Sequence, residues 1–356
     1  MKAAVVSLGS KSSEWTVEAM RKYFDEVVHV NLKELEISIS GSHAEILYKG
    51  EKLDKFDCVY AKGSHRFSQV LRSLSTILRD NCYMPIKPDA FTVAHDKLLT
   101  QLMLQSHNIP MPKTYISTTI DAARELLSKM NYPIIMKFPQ GTHGKGVMFA
   151  DSYGSASSIL DALSALKQSF LIQEFIDTGN TDIRAIVVGD KVVAAMERKG
   201  NDDEQRSNLH AGGGSEPVQL DHKSKEIAVK AARATGAEIC GVDILMGAKG
   251  PVVIETNVSP GLQGVTSATN IDVADKIAKY LYNKTKGLVE EEKKEQKQDI
   301  MAEVNQEGSI ITSPEFKGSR ILLPEMATHI SSLMSDDQVE LEMKEGYISL
   351  KKIDIS

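Results

Sequence analysis

Three oxygen-bearing side chains stand close together in residues 242–261, which read VDILMGAKGPVVIETNVSPG. Two short apolar runs flank a turn at residues 248–251, a pattern typical of a β-hairpin. Pairing of these runs brings Asp243 near Glu255, and the side chain of Asn257 lies on the same face as that of Glu255. Such oxygen donors suit Mg²⁺, which binds one or two carboxylates and leaves positions for phosphate oxygens. A solvated acidic hairpin is the alternative, although unpaired carboxylates are costly in a half-buried apolar sheet.

A lysine inside an apolar strand is the second candidate. Lys137 interrupts residues 133–138, PIIMKF. It is either a gatekeeper on an edge strand or a positioned cation, and we favour the cation because a glycine-rich loop follows. That loop, residues 140–147, reads QGTHGKGV, and its glycines permit close approach of backbone N–H groups to an anion. It lacks the spacing of a Walker A motif, and a plain flexible hairpin loop is the alternative interpretation.

Alternating strand and helix patterns must position these residues, and the predicted fold class is α/β (α+β). Residues 1–92 predict a small parallel α/β domain with a hairpin turn at Lys49–Gly50. A helix over residues 94–107 carries Asp96 and Lys97 near its start, and Gly189–Asp190 indicates another hairpin. Residues 197–214 are polar and end in glycines, as mobile active-site loops often do.

Composition excludes several classes of protein. The chain has 356 residues, 42% hydrophobic and 25% charged, which is ordinary for a soluble globular protein of two or three domains. A net charge of -6 argues against nucleic-acid binding. Cys58, Cys82 and Cys240 lie too far apart for a zinc site or a disulfide framework. Neither a signal peptide nor an apolar run of membrane-spanning length is present, so we expect a cytoplasmic protein without a membrane partner.

Several motifs together resemble the ATP-grasp superfamily, and most closely its RimK-type glutamate ligases. These motifs follow in the order Lys97, PIIMKFPQGTHGKGV, LIQEFI, DIRAIVVGDKVVAAMER, RSNLHAGG, GVDIL and ETNVSPGLQG. The resemblance covers roughly residues 1–286 and is nearly continuous from Asp182 onward. It implies an ATP-grasp fold behind the N-terminal α/β domain, with ATP and Mg²⁺ as cofactors and Mn²⁺ able to substitute.

The resemblance also implies a role for each site residue. Metal binding is implied for Asp243, Glu255 and Asn257, and catalysis for Arg206 and Lys137. The remaining implied contacts are with ATP and with the organic substrates. The implied ATP-binding set is Lys97 and Lys137 at the phosphates, Gln173, Glu174 and Phe175 at the adenine, Asp182 at the ribose, and Arg206, Ser207 and Asn208 at the phosphates or the substrate carboxylate. The implied substrate-binding set is Arg184, Asn208, Ser259 and Gly261.

Ligases of this type phosphorylate a carboxylate with ATP and then couple the acyl phosphate to an amine. The resemblance therefore implies addition of glutamate, or a similar amino acid, to a protein C-terminus or a small-molecule acceptor. The turn YAKGSHRF differs from the arginine-containing turn usual in these ligases, in a region that faces the acceptor. An amino-carrier protein of lysine or arginine synthesis and a glutamyl coenzyme therefore stay open as acceptors. A nucleotide-sensing protein without catalysis is the alternative from a different class.

A second resemblance lies at the C-terminus. Residues 308–356 are similar to swapped-hairpin modules of the AbrB type, with strand signals at residues 310–311, 321–323, 339–343 and 347–350 and a short helix at 329–334. The acidic character of the module makes DNA binding an unlikely role, and its size favours pairing with a second copy. We therefore expect a homodimer or higher even assembly. The predicted domains are residues 1–92, two ATP-grasp subdomains over 93–170 and 171–287, a charged linker over 288–307, and the module over 308–356.

Overall fold

The computed structural model describes residues 1–139, 146–167, 169–200, 214–307, 315–318, 320–323, 327, 331, 333–334 and 337–353, with backbone alone for 295–307, 315 and 316. Residues Met1–Leu288 form one compact unit and Val289–Ser356 a second. Among the described residues, no helix combines the length and the apolar character needed to cross a bilayer.

The first part of the chain builds a parallel sheet in the order β2-β1-β6, as the alternating pattern predicted. Its central strand is apolar and fully buried from Ala3 to Val6. Strands β3, β4 and β5 form a separate antiparallel sheet, whose turn at Lys49–Gly50 confirms the predicted hairpin. The elements are β1 (Lys2–Ser7), α1 (Lys11–Met20), β2 (Glu26–Asn31), β3 (Leu35–Ser40), β4 (His43–Tyr48), β5 (Glu51–Lys52), β6 (Cys58–Ala61), α2 (Ser68–Leu78) and α3 (Ala90–Val93).

A four-stranded antiparallel sheet in the order β7-β10-β8-β9 follows. One face packs on α5 and α6 through a core that includes Ala123, Leu127, Ile134 and Leu160. This sheet extends past residue 170, where the sequence placed a boundary. Its elements are α4 (Lys97–Ser106), β7 (Thr114–Tyr115), α5 (Ile120–Ser128), β8 (Ile134–Lys137), β9 (Val147–Ala150), α6 (Tyr153–Ala165) and β10 (Leu171–Glu174).

A five-stranded antiparallel sheet in the order β13-β12-β11-β14-β15 completes the first unit. Two-residue connections join β11 to β12 and β14 to β15, which confirms both predicted hairpins. Gly189 has a φ of +62°, and a Cβ there would collide with the ring of Tyr280, so only glycine fits this turn. The elements are β11 (Thr181–Val188), β12 (Lys191–Lys199), β13 (Ser215–Pro217), α7 (His222–Thr235), β14 (Ile239–Gly247), β15 (Gly250–Asn257), α8 (Gln263–Thr269) and α9 (Val273–Glu307).

The described C-terminal residues contain two short antiparallel ribbons. The first joins β16 (Glu315–Lys317) to β17 (Arg320–Leu322), and the second joins β18 (Val339–Lys344) to β19 (Tyr347–Lys352). Strands therefore occur at the three later positions that the sequence indicated. The predicted strand at residues 310–311 lies outside the described residues, as do residues 329, 330 and 332 of the predicted helix at 329–334. Residues 331, 333 and 334 are described, and they form a turn and irregular backbone instead of a helix. Residues 288–307, for which charge predicted a linker, lie within α9.

Candidate active site

The hairpin β14–β15 places its two carboxylates opposite each other, because Asp243 and Glu255 are register partners. A regular two-residue hairpin would set Asp243 against Ile254, but a β-bulge between Asp243 and Ile244 shifts the register by one residue. Asn257 pairs with Gly241 further along the ladder, and its Oδ1 accepts a hydrogen bond of 2.9 Å from the N–H of Ser259. The predicted approach of Asp243 to Glu255 is thus present, and the bulge is its cause, whereas metal binding by the three residues stays a prediction.

Two arginines hold the Asp243 carboxylate, of which Arg198 is buried and Arg184 is partly buried. Arg184 faces Asp243 from β11 and donates to both its oxygens, at 2.8 and 2.6 Å. Arg198 donates to Asp243 at 2.9 Å and also bonds Asp182. Burial alone would raise the pKa of Asp243, but the two guanidinium groups hold that pKa well below its usual range. The result is a buried ion network across three neighbouring strands.

Arg198 was missed in the sequence, for an identifiable reason. The hairpin at Gly189–Asp190 predicts that Asp182 faces Glu197, whereas a bulge between Ile186 and Val187 brings Asp182 opposite Arg198 instead. Asp182, expected at the ATP ribose, is 3% exposed and has its carboxylate bonded to this guanidinium. Its contact in this structure is therefore with Arg198, and a ribose contact stays a prediction.

Glu255 is in the opposite electrostatic situation from Asp243. Among the described residues, its carboxylate forms no hydrogen bond, and burial together with the charge of Asp243 raises its pKa. Lys97, Arg184 and Lys137 all act on Glu255 in the opposite direction. The carboxylate of Glu255 is thus influenced both by Asp243 on the neighbouring strand and by the two lysines.

Lys137 is a positioned cation, and the edge interpretation is wrong because β8 lies between β10 and β9. The side chain is 6% exposed, and its ammonium donates to Gln173 Oε1 at 2.9 Å. Burial, assisted by the positive charge of Lys97, lowers the pKa of Lys137 to about 8. Gln173 in turn donates to Thr114 Oγ1 at 2.7 Å. A buried ammonium with a neutral partner is prepared for an anionic ligand.

Lys97 begins α4, and its position depends on two backbone features. Asp96 caps the helix by accepting from the N–H groups of Leu98 and Leu99, at 2.9 and 3.0 Å. The N–H of Lys97 donates to the carbonyl of Pro139 at 2.9 Å, which ties the helix start to the end of the Lys137 strand. The two lysines expected to bind phosphate are therefore brought together, although 40 positions separate them in the sequence.

The predicted adenine-pocket residues lie at the end of β10. Gln173 is 4% exposed, and its side-chain amide bonds Lys137 and Thr114. Glu174 accepts from the N–H of Lys113 at 2.8 Å, and the ring of Phe175 packs edge-on against Phe149 with 5.3 Å between centroids. The structure thus ties Gln173 to the lysine, a role that sequence reasoning did not assign.

The segment after β15, which contains the predicted substrate residues Ser259 and Gly261, contacts the loop after β6 and helix α1. Ser259 Oγ accepts from the N–H of Gly63 at 2.9 Å, and the N–H of Leu262 donates to Ser12 Oγ at 2.9 Å. Gly261, between them, is exposed. Arg206, Ser207 and Asn208 lie outside the described residues, as do residues 140–145 of the glycine-rich loop.

The donor set fits a hard divalent cation. Asp243, Glu255 and Asn257 offer two carboxylates and an amide oxygen, the ligands that Mg²⁺ takes alongside water and phosphate. The raised pKa of Glu255 fits as well, since a cation would relieve its repulsion by Asp243. Among the described residues, no group of three or more His, Cys, Asp or Glu side chains forms a metal cluster. The proposed donor set contains only two such side chains, because its third member is the amide of Asn257, so it is consistent with this absence.

Comparison with known proteins gives a consistent result. Proteins named probable alpha-L-glutamate ligase from Halorhodospira halophila and Vibrio cholerae are 38% and 35% identical over 289 residues, which is 79% of this chain and 95% of each relative. The solved ATP-grasp ligase PsnB, complexed with minimal precursor, Mg and ADP, is 19% identical with a TM-score of 0.62, over 80% of this chain and 98% of that one. A RimK domain ATP-grasp protein from Sphaerobacter thermophilus is 18% identical with a TM-score of 0.60, over 79% and 99%.

These solved structures share the fold of this chain. Residues 94–281 match the RimK-like ATP-grasp domain, a range that begins just before Lys97 and contains both the four-stranded and the five-stranded sheet. With that match and 38% identity to a named ligase, the chain belongs to the RimK-like ATP-grasp family and is an enzyme of the ligase type.

Proposed function

We propose that this ligase couples glutamate, or a similar amino acid, to the carboxylate of a protein C-terminus or of a small-molecule acceptor. The observation that carries the proposal is the meeting of opposite charges at Glu255. The charge of Asp243 raises the pKa of this carboxylate, and the charges of Lys97 and Lys137 lower it. A nucleoside triphosphate and a metal ion need this combination of cations and oxygen donors within one site.

The proposed chemistry has two steps. An oxygen of the acceptor carboxylate attacks the γ-phosphorus of ATP, the bond to the β-phosphate oxygen breaks, and ADP leaves. The amine of the incoming amino acid then attacks the carbonyl carbon of the acyl phosphate, the C–O bond to phosphate breaks, and the amine loses a proton. The products are an amide, ADP and phosphate.

The protein's own residues bind and orient the reactants. Lys137 and Lys97 hold phosphate oxygens, and Gln173 fixes the Lys137 ammonium. Arg184 and Arg198 orient Asp243. Arg206, Ser207 and Asn208 are assigned to the transferring phosphate and the substrate carboxylate. Mg²⁺ held by Asp243, Glu255 and Asn257 would neutralise charge on the phosphate oxygens, and Mn²⁺ takes the same donors.

A screen of amino acids against acceptors, with product masses read out, tests the proposal. We expect ADP release that requires both an amino acid and an acceptor, and a product heavier than the acceptor by one or more amino-acid residues. Glu255→Gln should lack this activity, while the exposed Glu216→Gln should keep it. ADP release that needs no acceptor would contradict the proposal. If the amino acid is instead added to an amino-carrier protein or a coenzyme, the ligase activity stands and the proposed acceptor is replaced by that molecule.

We also propose that residues 308–356 assemble the enzyme with a second copy of the chain. Opposite residues of β18 and β19 share a face, so Val339, Leu341, Met343, Ile348 and Leu350 form one apolar side of the ribbon. Each of these side chains is between 38% and 66% exposed. A two-stranded ribbon is marginally stable alone, and this chain segment contains no cysteine for a disulfide. A second copy of this apolar face would cover it.

Matched lysine substitutions on the two faces of this ribbon test the assembly. Leu341→Lys should lower the subunit count measured by light scattering, because it charges the proposed contact. Ser349→Lys, which faces Glu342 on the other side, should not. Equal behaviour of the two variants would contradict the proposal.

A further inference from the structure

Lys62 carries a buried ammonium that lacks a hydrogen-bond partner within the part of the chain that the structure describes. It is 4% exposed, and among the described residues its ammonium forms no hydrogen bond. Burial lowers the pKa of Lys62 to about 8. Its nearest described aromatic neighbour is Tyr60, with 5.8 Å between Nζ and the ring centroid, and the Tyr60 hydroxyl also lacks a hydrogen bond. An unpaired ammonium in such a place is costly, and an anion bound there would remove the cost.

The position of Lys62 in the fold is one where ligands bind. It directly follows β6, and its N–H donates to the carbonyl of Val6 at 2.9 Å, so it stands at the carboxyl edge of the parallel sheet. Strand β1 is central, with β2 on one side and β6 on the other. The chain therefore leaves β1 toward one edge of the sheet and leaves β6 on the other side of β1. Open α/β sheets bind ligands at such a topological switch point, beyond the carboxyl ends of the two strands.

The segment after the metal strand reaches the same edge. Asn257 Oδ1 accepts from the N–H of Ser259, and Ser259 Oγ accepts from the N–H of Gly63, each at 2.9 Å. Two hydrogen bonds thus lead from a proposed metal donor to the residue next to Lys62. The N–H of Leu262 continues this contact to Ser12, near the start of α1.

The side chain of Lys62 lies on the side of the sheet that faces β14. Residues two apart on a strand share a face, and the distance of Lys62 to the Tyr60 ring agrees with this. The Tyr60 hydroxyl interacts electrostatically with Cys240, which lies three residues before Asp243 on β14. Lys62 therefore points toward the strand that carries the metal site.

Lys62 is nevertheless electrostatically separate from the phosphate-binding lysines. Lys97 and Glu255 both affect the pKa of Lys137, whereas burial is the cause that acts on Lys62. In the function proposed above, the ATP phosphates are bound by Lys97 and Lys137, which both act on Glu255. The anion suited to Lys62 is thus an organic substrate's carboxylate.

We propose that Lys62 is a specificity-determining residue that binds a non-reacting carboxylate of one of the two organic substrates. The proposal rests on the ligase activity proposed above and adds a substrate class to it. The substrate concerned carries a second carboxylate besides its reacting group, as glutamate and glutamate-ended acceptors do.

Calorimetry on the full-length protein tests this proposal, in the presence of Mg²⁺ and a non-hydrolysable ATP analogue. The probes are L-glutamate for the incoming amino acid and glutamyl-glutamate for the acceptor, each compared with its glutamine counterpart. Lys62→Met removes the charge and keeps a long side chain, and Lys62→Gln serves if the Met variant shows no melting transition. The exposed Lys52→Met is the matched control in the same part of the chain.

We expect Lys62→Met to weaken one carboxylate probe by about 10- to 100-fold, the loss typical of a hydrogen bond to a charged group. Its affinity for the glutamine counterpart and for the ATP analogue should stay unchanged. If the variant binds L-glutamate more weakly, Lys62 binds the incoming amino acid. If it binds glutamyl-glutamate more weakly, Lys62 binds the acceptor. Unchanged affinity for both probes, absence of binding to the wild type, or loss of the ATP analogue would each overturn the proposal.

Parallel turnover assays separate this proposal from the ligase activity. If carboxylate binding depends on Lys62 but no acceptor-dependent ADP release occurs, the proposed ligase function is refuted and the proposed role of Lys62 is retained. Coupled ADP release with unchanged KM values in Lys62→Met would overturn the role of Lys62 alone.

Discussion

The two carboxylates that face each other across β14 and β15 should respond in opposite ways to neutralisation. Asp243→Asn removes the anion that Arg184 and Arg198 share, so one buried and one partly buried guanidinium group each lose a partner. Glu255→Gln removes a carboxylate that, among the described residues, has no hydrogen bond and is repelled by Asp243. In the absence of metal and nucleotide, we expect the first change to destabilise the fold and the second to leave it as stable or more stable.

The size of the first effect follows from burial. Asp243 is 5% exposed, and Arg198 is 8% exposed. Breaking a buried ion pair by removing one partner costs about 3–5 kcal/mol, because the remaining charge is desolvated without compensation. Asp182 still bonds Arg198 in the variant, which places the expected loss toward the lower end, at about 3 kcal/mol.

The pH dependence of the two effects also differs in sign. The folded-state pKa of Asp243 lies below its ordinary value of 3.8, so its stabilisation is complete above that value and is lost as the pH falls through the folded pKa. The folded-state pKa of Glu255 lies above its ordinary value of 4.5, so its destabilisation is absent below 4.5 and grows as the pH rises through the folded pKa. The gain from Glu255→Gln should therefore be larger at pH 7 than at pH 4.5.

Urea denaturation of the metal-free proteins at both pH values measures these effects. Added Mg²⁺ and nucleotide should then stabilise the wild type and not Glu255→Gln, because ligands raise stability by binding the folded state. Equal losses in the two variants would refute the distinction between a carboxylate held by arginines and one kept for metal. So would a loss of stability in Glu255→Gln at pH 7.

Four further outcomes are expected. Lys137→Met should weaken ATP binding by about 10- to 100-fold in calorimetry, with the thermal stability of the ligand-free protein similar or higher; unchanged affinity would contradict its role. Thr114→Val, which removes the acceptor for Gln173 Nε2, should weaken ATP binding by roughly fivefold, the equivalent of about 1 kcal/mol. Lys62→Met should stabilise the ligand-free protein by up to about 3 kcal/mol at pH 7, because burial lowers the pKa of Lys62 from 10.5 to about 8. The cost of burying the charged ammonium disappears as the pH rises from 8 to 10.5, so a stability difference between variant and wild type that does not change with pH would contradict this prediction. A chain ending at Gly287 should have a lower subunit count in light scattering than the full-length protein, and an unchanged count would contradict assembly through the C-terminal residues.

The hairpins of the candidate site could be predicted from sequence because their signals are local. The turn between β14 and β15 is set by residues 248–251, and the apolar runs around it predict paired, half-buried strands. Lys137 could be predicted as a positioned cation for the same reason, since a single charge in an apolar strand needs a partner. The partner itself, Gln173, lies on a strand that is a neighbour only in the folded sheet.

The register inside the hairpins could not be predicted, and it decides which side chains meet. The bulge at Ile186/Val187 turns Asp182 toward Arg198, and the bulge at Asp243/Ile244 turns Asp243 toward Glu255. A bulge adds one unpaired residue to a strand, and hydrophobic periodicity over a few residues does not locate it. The sequence therefore indicated that the two carboxylates lie near each other, while the arginine that bonds Asp243 and Asp182 was not recognised.

One short segment connects the hairpin β14–β15 with the loop after β6 and with α1. Within eight residues the chain passes from Glu255 through Asn257 to Ser259 and Leu262, which bond Gly63 and Ser12. The proposed metal donor Asn257 is therefore joined to the residue next to Lys62 by two hydrogen bonds of 2.9 Å. If Lys62 binds an organic substrate as proposed, that substrate and the proposed metal donors would be positioned by one continuous segment of the chain.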